Sequence, residues 1–323
     1  MRFSRIIGTG SYVPERVMTN ADVEKIVDTT DQWIQDRTGI KQRHVTEDGQ
    51  TTTDLAFEAA RNAMSAAEIN PKEIDLIILG TTTPDVVFPS SASLLQHRLG
   101  MRDVGSMDVN AACSGFIYAL SVADQYIRAG TVDRVLVLGA ETITRLIDWE
   151  DRQTCVLFGD GAGGVVLEAS EEPGILSTHI HADGQYAGLL NTDVGISAGF
   201  RMEETNGGLT IQMKGNEVFK VAVRTLSRIV DETLEANGLD RSDVDWLVPH
   251  QANLRIISAI GKKLGLPEDR VIVTVDRHGN TSAASVPLAL DSAVRSGKIK
   301  RGETVLLEAF GGGFTWGSAL LKY

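Results

Sequence analysis

Apolar residues along this chain follow two spacings that alternate. In the windows 55–67 and 217–236 they recur every three or four positions, as on one face of an α-helix. A short apolar run follows each window, at 76–79 and at 246–248, and such runs are typical of buried strands. The second window has the clearest stripe, formed by Phe219, Ala222, Val223, Leu226, Ile229 and Val230. The pattern therefore predicts an α/β fold in which helices alternate with strands.

The two helix–strand pairs belong to an internal repeat with an offset of roughly 170 positions. Further segments correspond in the same order: 99–101 with 264–266, a strand ending at 107–108 with a strand over 273–276, helices ending near Gly130 and Gly297, and strands at 135–138 and 305–307. The repeat predicts two similar halves that bury their sheets against each other at a pseudo-two-fold seam.

Two segments outside the repeat are predicted to be irregular. The N-terminal residues lead directly into Gly8-Thr9-Gly10, which we interpret as a glycine-rich turn. The segment 191–209 is rich in Gly, Thr, Asn and Ser and is predicted to be a surface loop of the kind that shapes a pocket mouth.

Composition and charge narrow the class of protein. The chain has 323 residues, a net charge of −12 and two cysteines, Cys113 and Cys155. The acidic balance argues against a general nucleic-acid binder, and two cysteines are no disulfide framework, so we expect free thiols. No Cys/His group has zinc spacing, and no apolar run approaches the ~18 residues that span a bilayer. We expect a cytoplasmic protein without a membrane segment or a signal peptide.

The candidate nucleophile is Cys113, which lies where the apolar stretch 104–109 gives way to the helical pattern 116–128. A helix start carries partial positive charge, so this position is expected to favour thiolate over thiol. The neighbours Ala111, Ala112, Ser114 and Gly115 are small enough for a substrate carbonyl to come close. A buried structural cysteine is the alternative for this residue considered alone.

Three other polar segments follow predicted strands. They contain His250, Asn280 and the run Gly311-Gly312-Gly313, and the repeat places the Asn280 segment opposite the Cys113 segment. A thiolate is a good nucleophile for acyl transfer, a histidine can exchange a proton near neutral pH, and an amide donates hydrogen bonds. Consecutive glycines leave backbone N–H groups uncovered, as an oxyanion hole requires. We expect these groups to converge at the seam.

Four motifs together resemble one family. They are Ala112-Cys113-Ser114-Gly115, Pro249-His250-Gln251-Ala252-Asn253, His278-Gly279-Asn280-Thr281-Ser282-Ala283 and Gly311-Gly312-Gly313-Phe314-Thr315-Trp316-Gly317. In this order they resemble the β-ketoacyl-acyl-carrier-protein synthase III family, which starts bacterial type II fatty-acid synthesis. The resemblance implies a thiolase-like, internally duplicated αβαβα fold with two mixed five-stranded sheets. Residues 1–172 would form the half that carries the nucleophile and residues 173–323 the half that carries His250, Asn280 and the glycines.

The resemblance also implies a reaction. Cys113 would take an acyl group from a short acyl-CoA, with acetyl-CoA as the default primer. His250 and Asn280 would stabilise the enolate formed when malonyl-acyl-carrier protein loses CO2, and this enolate would attack the acyl-enzyme. The backbone N–H groups of Cys113 and Gly313 would form the oxyanion hole. No metal or redox cofactor is expected, because loss of the carboxylate itself generates the nucleophile.

The resemblance further implies binding residues. Those expected to bind CoA are Thr29, Trp33, Arg37, Arg152, Gly215, Phe219, Ala252 and Asn253, with Trp33 and Arg152 sandwiching the adenine. Those expected to form the acyl pocket are Ile143, Phe158, Leu190 and Ile211, capped by Phe88 from the partner of a homodimer. Each pocket residue has an ordinary core position as its alternative. Gln153 stands where family members often have a small residue, so adenine packing is expected to differ here.

Basic residues are candidates for docking an acidic carrier protein. Lys220, Arg224 and Arg228 share one helix face, and Arg255, Lys262 and Lys263 follow the His250 motif. A solvated helix face is the alternative meaning of this spacing.

Related condensing enzymes fit the sequence less well. A degradative thiolase needs a second cysteine near the C-terminal glycines, and a hydroxymethylglutaryl-CoA synthase needs a glutamate at 80–84, where this chain has Thr81, Thr82 and Thr83. Elongating ketosynthases have a second histidine where this chain has Asn280. A non-catalytic homologue that binds carrier protein is the alternative from another class, and the intact Cys113, His250 and Asn280 argue against it.

Overall fold

The structure is a computed structural model, and it describes residues 2–192, 194–198 and 209–323. The strands in these ranges are β1 (Phe3–Tyr12), β2 (Val17–Thr19), β3 (Gln42–His44), β4 (Leu76–Gly80), β5 (Gly105–Val109), β6 (Arg134–Glu141), β7 (Gly161–Ser170), β8 (Ile175–Ala182), β9 (Leu190–Thr192), β10 (Ile211–Met213), β11 (Trp246–Pro249), β12 (Thr304–Gly311) and β13 (Thr315–Lys322). The α-helices are α1 (Asn20–Val23), α2 (Asp31–Thr38), α3 (Thr52–Ala66), α4 (Ser91–Arg98), α5 (Gly115–Arg128), α6 (Gly215–Asn237), α7 (Leu254–Leu264), α8 (Val275–His278) and α9 (Ser285–Arg295).

Two mixed sheets repeat the same strand arrangement. The first has the order β1-β7-β6-β4-β5, and the second, written in the same direction, has the order β8-β13-β12-β11. In each, a parallel pair, β4 with β6 or β11 with β12, continues into antiparallel strands. Helices α5 and α9 lie between the two sheets, α3 and α4 cover the first sheet, and α6 packs on the second. The duplicated, layered α/β fold predicted from the sequence is confirmed.

The predicted strand over 273–276 is wrong, and the second sheet has four strands in the described residues rather than five. Only Val271, which forms an isolated parallel bridge to Leu247, stands in the place that β5 has beside β4. The Gln251 side chain explains the difference. Its amide donates to the Ile272 carbonyl at 3.1 Å and its oxygen accepts the Thr274 N–H at 2.7 Å. These backbone groups are therefore bonded to a side chain, and the chain enters α8.

The predicted turn at Gly8-Thr9-Gly10 is also wrong, because both glycines lie inside β1. Helix α3 crosses this strand so closely that a Cβ atom on Gly10 would lie 2.1 Å from the backbone nitrogen of Ala63. A Cβ atom on Gly8 would lie 2.5 Å from the Ala63 carbonyl oxygen. The glycines therefore permit close helix–sheet packing rather than chain reversal.

The segment 191–209 falls partly outside the described residues, at 193 and 199–208. In its described part, Asn191, Thr192 and Leu209 line the cavity discussed below, as expected for a loop at a pocket mouth. The division of the chain at residues 172 and 173 stays a prediction.

Candidate functional site

One cavity of about 1020 Å³ lies where the two halves meet, and Cys113, His250 and Asn280 all line it. Cys113 sits in the turn Ala112–Ser114 between β5 and α5. His250 follows the last residue of β11, and Asn280 follows α8. All three residues are buried, with 5 to 8% of their surface exposed. The structure thus brings together the three groups that the sequence placed at the seam.

The turn that carries Cys113 is strained, and the glycine-rich segment packs closely against it. Ala112 has a φ of +47°, and the repeat-related Ser282 has a φ of +49°, a region that side chains other than glycine rarely adopt. A Cβ atom on Gly311 would lie 2.6 Å from the Cys113 nitrogen, so only glycine fits there. The Thr315 hydroxyl donates to the Ala111 carbonyl at 2.7 Å and ties the glycine-rich segment to this turn. Gly313 also lines the cavity, where its N–H is predicted to help form the oxyanion hole.

The Cys113 thiol differs from the expectation of a favoured thiolate. Burial raises the pKa of this thiol to about 12, and the nearby Glu141 adds to the increase. A neighbouring Ser282 hydroxyl acts in the opposite direction on the pKa but does not reverse the effect. The thiol of the free protein is therefore protonated at neutral pH.

This raised pKa predicts how Cys113 reacts with iodoacetamide. Because only the thiolate reacts, the labelling rate should increase about tenfold per pH unit from about pH 7 to about pH 9, without a plateau. Mass mapping of the alkylated peptide, with and without an acyl-CoA, measures this rate. Cys155 is the internal control, since it lies outside the cavity lining and an acyl-CoA should leave its labelling unchanged. A plateau below about pH 8 would contradict the prediction.

His250 is neutral in this environment. Burial lowers the pKa of its imidazole to about 3. Its Nδ1 atom lies 2.5 Å from the Ser285 hydroxyl oxygen, and its backbone N–H donates to the Glu308 carbonyl at 2.8 Å. The ring is therefore fixed at Nδ1, and Nε2 is the nitrogen left for a ligand in the cavity.

Asn280 is oriented by its own turn. Its side-chain oxygen accepts the Ser282 N–H at 2.9 Å, so its NH2 group remains for the cavity. Its backbone pairs with the segment around Phe158, through the Leu157 carbonyl and the Gly159 N–H. The first half thus positions a catalytic candidate that the second half supplies.

Sequence reasoning missed the buried Glu141, which connects the two halves beside Cys113. Its carboxylate accepts hydrogen bonds from the Ser282 hydroxyl at 3.1 Å and from the Thr83 hydroxyl at 2.6 Å. Further bonds come from Thr81 and Thr82. The pKa of Glu141 is raised overall, because the effect of burial exceeds the lowering caused by these hydrogen bonds. The three consecutive threonines after β4 were the available signal, but nothing in the sequence named their acceptor.

The predicted acyl-pocket residues fall into two groups. Ile143, Phe158, Leu190 and Ile211 all line the cavity. Phe88 does not, since it is 84% exposed and stands beside the exposed Val86 and Val87. Its predicted contact is with the pocket of a partner subunit, and that contact stays a prediction.

Six of the predicted CoA-binding residues line the cavity: Trp33, Arg37, Gly215, Phe219, Ala252 and Asn253. Thr29 and Arg152 lie outside the lining. Thr29 is buried, and the Arg152 guanidinium carbon lies 4.0 Å from the centre of the Trp33 ring. An adenine cannot fit between these two side chains at that distance, so Arg152 has to move before a sandwich can form. Gln153 does line the cavity.

The basic residues surround the cavity unevenly. Arg255 lines it and lies over the Phe219 ring at 5.2 Å, and Lys262 is exposed further along the same helix, α7. Lys263 pairs with Asp231 at 2.6 Å. Lys220, Arg224 and Arg228 are exposed on α6, where the Arg224 guanidinium donates to the Tyr186 hydroxyl at 3.2 Å. Arg255 is therefore the one of these six basic residues that lines the cavity.

The residues that the structure describes, 2–192, 194–198 and 209–323, were considered for a metal centre and for membrane-spanning helices. No group of His, Cys, Asp and Glu side chains there is arranged to hold a metal ion. None of the helices found in those ranges is long and apolar enough to cross a membrane.

Comparisons with known proteins agree with this geometry. The model of the family 3-oxoacyl-[acyl-carrier-protein (ACP)] synthase III matches residues 107–184, and the model of its C-terminal part matches residues 234–323. These ranges contain Cys113, His250, Asn280 and Gly313.

Similar proteins cover nearly the whole chain. A β-ketoacyl-[acyl-carrier-protein] synthase III of Xanthomonas euvesicatoria is 65% identical over 321 residues, which are 99% of this chain and 98% of that protein. One from Alkalilimnicola ehrlichii is 63% identical over 325 residues, and the match covers 100% of both chains. The crystal structure of 3-oxoacyl-[acyl-carrier-protein] synthase III from Aquifex aeolicus superposes with a TM-score of 0.93 at 49% identity, covering 99% of this chain and 100% of that one.

Proposed function

The chain belongs to the 3-oxoacyl-[acyl-carrier-protein] synthase III family, and we propose that it joins a short acyl-CoA to malonyl-acyl-carrier protein by decarboxylative condensation. The products are 3-oxoacyl-acyl-carrier protein, CoA and CO2, and the reaction initiates fatty-acid synthesis. The observation that carries this proposal is the convergence of Cys113, His250 and Asn280 in one buried cavity.

The first half-reaction loads the enzyme. The Cys113 sulfur forms a bond to the acyl carbon, the bond from that carbon to the CoA sulfur breaks, and the thiol proton leaves with CoA. Because the resting thiol is protonated, its proton must be lost within the acyl-CoA complex. The N–H groups of Cys113 and Gly313, both residues of the cavity lining, are proposed to stabilise the negative oxygen that develops on the acyl carbonyl.

The second half-reaction forms the carbon–carbon bond. The bond between the malonyl carboxylate and its α-carbon breaks, CO2 leaves, and the electron pair becomes an enolate. A neutral His250 and the NH2 group of Asn280 donate hydrogen bonds to the enolate oxygen. The enolate carbon attacks the acyl carbonyl, the bond to Cys113 breaks, and the released thiolate takes up a proton. Decarboxylation supplies the nucleophile, so the scheme uses no metal or redox cofactor.

The substrate path follows from the lining. CoA is proposed to enter past Trp33, Arg37 and Phe219, and the acyl group to lie among Ile143, Phe158, Leu190 and Ile211. This apolar end suits an aliphatic acyl group, and acetyl is the proposed default primer. A homodimer is proposed because the exposed run Val86-Val87-Phe88 is apolar and lies on the outer surface.

Carrier-protein docking is proposed at Arg255, beside the cavity and on the same helix as Lys262. We expect Arg255→Glu to raise the apparent KM for malonyl-carrier protein about tenfold, because it reverses a charge that attracts an acidic partner. Steady-state condensation measures this KM, and Cys113 acylation by acyl-CoA should stay normal. Lys298→Glu, the same charge change on an exposed lysine after α9, is the matched control. Equal damage to both half-reactions would contradict docking at Arg255.

The function is tested by product analysis. The protein is incubated with a mixture of acyl-CoAs, and intact mass spectrometry identifies which acyl group it retains. Malonyl-carrier protein is then added, and mass spectrometry of the carrier protein detects the 3-oxoacyl product. Loss of the acyl group from the enzyme together with its appearance on the carrier, extended by two carbons, supports the proposal. Loading without transfer to the carrier would overturn it.

A further inference from the structure

The hydroxyl of Ser285 makes the side-chain contact that holds the His250 ring. Its oxygen lies 2.5 Å from His250 Nδ1, and both residues are buried. Ser285 is the first residue of α9, the central-layer helix that packs between the two sheets, so its position is fixed from both sides. Ser285 itself is not among the residues that line the cavity.

The direction of this hydrogen bond follows from a second contact. The Gln251 N–H points at the same Ser285 oxygen, at 3.3 Å. An N–H can only donate, so it occupies a lone pair of the hydroxyl, and the hydroxyl hydrogen is free to point at the imidazole. Burial keeps the ring neutral, as its pKa of about 3 shows, and a neutral ring has one nitrogen that accepts and one that donates. With Nδ1 accepting from Ser285, the ring hydrogen is on Nε2.

We propose that Ser285 is a positioning residue that holds His250 in the tautomer with its hydrogen on Nε2, so that the ring donates a hydrogen bond to the enolate oxygen. This inference rests on the role given above to His250. The segment 280–285 then orients both groups that donate hydrogen bonds to the enolate oxygen. The Ser282 N–H turns the Asn280 amide, and the Ser285 hydroxyl turns the His250 ring.

The start of α9 also disfavours a charged ring. The N-terminal end of a helix carries partial positive charge, and Ser285 places His250 Nδ1 against that end. Both the partial positive charge of the helix end and the buried surroundings therefore disfavour a second proton on the imidazole. The hydroxyl thus selects one neutral tautomer rather than stabilising an imidazolium.

The test separates the two half-reactions in the full-length protein. In Ser285→Ala the ring loses its donor at Nδ1, and we expect malonyl decarboxylation to slow about tenfold while Cys113 acylation by acyl-CoA is unchanged. Ser318→Ala is the matched control. It removes a buried serine hydroxyl that is bonded to Thr233 at 2.6 Å and not to His250. Decarboxylation that is unaffected by Ser285→Ala, or acylation that falls by the same factor, would overturn the proposal.

A spectroscopic measurement reports the tautomer directly. With ¹⁵N-labelled histidine, the His250 ring signals, assigned by their loss in His250→Ala, should show hydrogen on Nε2 in the unsubstituted protein and a mixture of tautomers in Ser285→Ala. Hydrogen on Nδ1 in the unsubstituted protein would overturn the proposal. If His250→Ala itself left decarboxylation intact, the proposed role of His250 would fail. A defect in His250→Ala that Ser285→Ala does not share would overturn only the role of Ser285.

Discussion

Cys113→Ala should abolish both acyl loading and condensation, with a loss of about four orders of magnitude in the overall rate. Cys113 is the cysteine of the two that lines the cavity, and a thiol is a better nucleophile for acyl transfer than the neighbouring Ser114 and Ser282 hydroxyls. Intact mass spectrometry after incubation with an acyl-CoA should show no adduct. The same variant should still release CO2 from malonyl-carrier protein, because His250 and Asn280 remain in place, and the carrier should then bear an acetyl group.

Cys155→Ala is the matched control for this variant. Cys155 is free and 1% exposed, and it lies near Arg43 rather than in the cavity lining. We expect it to load and condense normally, with only the modest loss of stability that follows the removal of a small buried side chain. An acyl adduct that persists in Cys113→Ala, or disappears in Cys155→Ala, would contradict the assignment of the nucleophile.

The internal repeat made most of the fold predictable from the sequence. Strand and helix patterns around β4 and β11 correspond, and the structure gives both strands the same place in sheets of the same order. The repeat fails at 273–276, where the Gln251 side chain bonds to backbone groups that a strand would have used. Hydropathy does not record such a bond, because the pattern of apolar residues is similar whether the backbone pairs with a strand or with an amide.

The sequence was enough to predict the reacting groups of the candidate site, but not the residues that support them. Cys113, His250 and Asn280 follow strands or turns in patterns that repeat, which placed them at one seam. Two contacts that support these groups are long-range: the Ser282 hydroxyl beside Cys113 donates to Glu141 across 141 positions, and the Ser285 hydroxyl bonds to His250 across 35. Neither contact leaves a pattern in the sequence.

The Cys113 pKa shows how a local rule is overridden by burial. A helix start favours the thiolate by a fraction of a kcal/mol to about 1 kcal/mol. Complete desolvation of a charged group shifts a pKa by up to several units, and each unit corresponds to about 1.4 kcal/mol. Burial therefore wins, and the pKa of the thiol rises rather than falls. The sequence identifies the helix start, but the extent of burial follows only from the packing of both halves.

His250→Ala and Asn280→Ala should each separate the two half-reactions in the opposite sense to Cys113→Ala. Each removes one hydrogen-bond donor to the enolate oxygen, and the loss of such a donor costs about 3 kcal/mol, or about 100-fold to 1,000-fold in rate. Decarboxylation and condensation should fall by this factor, measured as CO2 release, while acylation of Cys113 continues at nearly the original rate. The double variant should lose less than the product of the two factors, because both donors contact one oxygen.

His278→Gln is the control for the loss of a half-buried histidine near this seam. Burial lowers the pKa of His278 to about 3, as it does for His250, but His278 lies outside the cavity lining and packs against the His44 ring at 5.8 Å. Its replacement should leave both half-reactions intact. If His250→Ala or Asn280→Ala slowed acylation as much as decarboxylation, the donors would serve the loading step as well. The division of labour between Cys113 on one half of the molecule and the His250–Asn280 pair on the other would then be wrong.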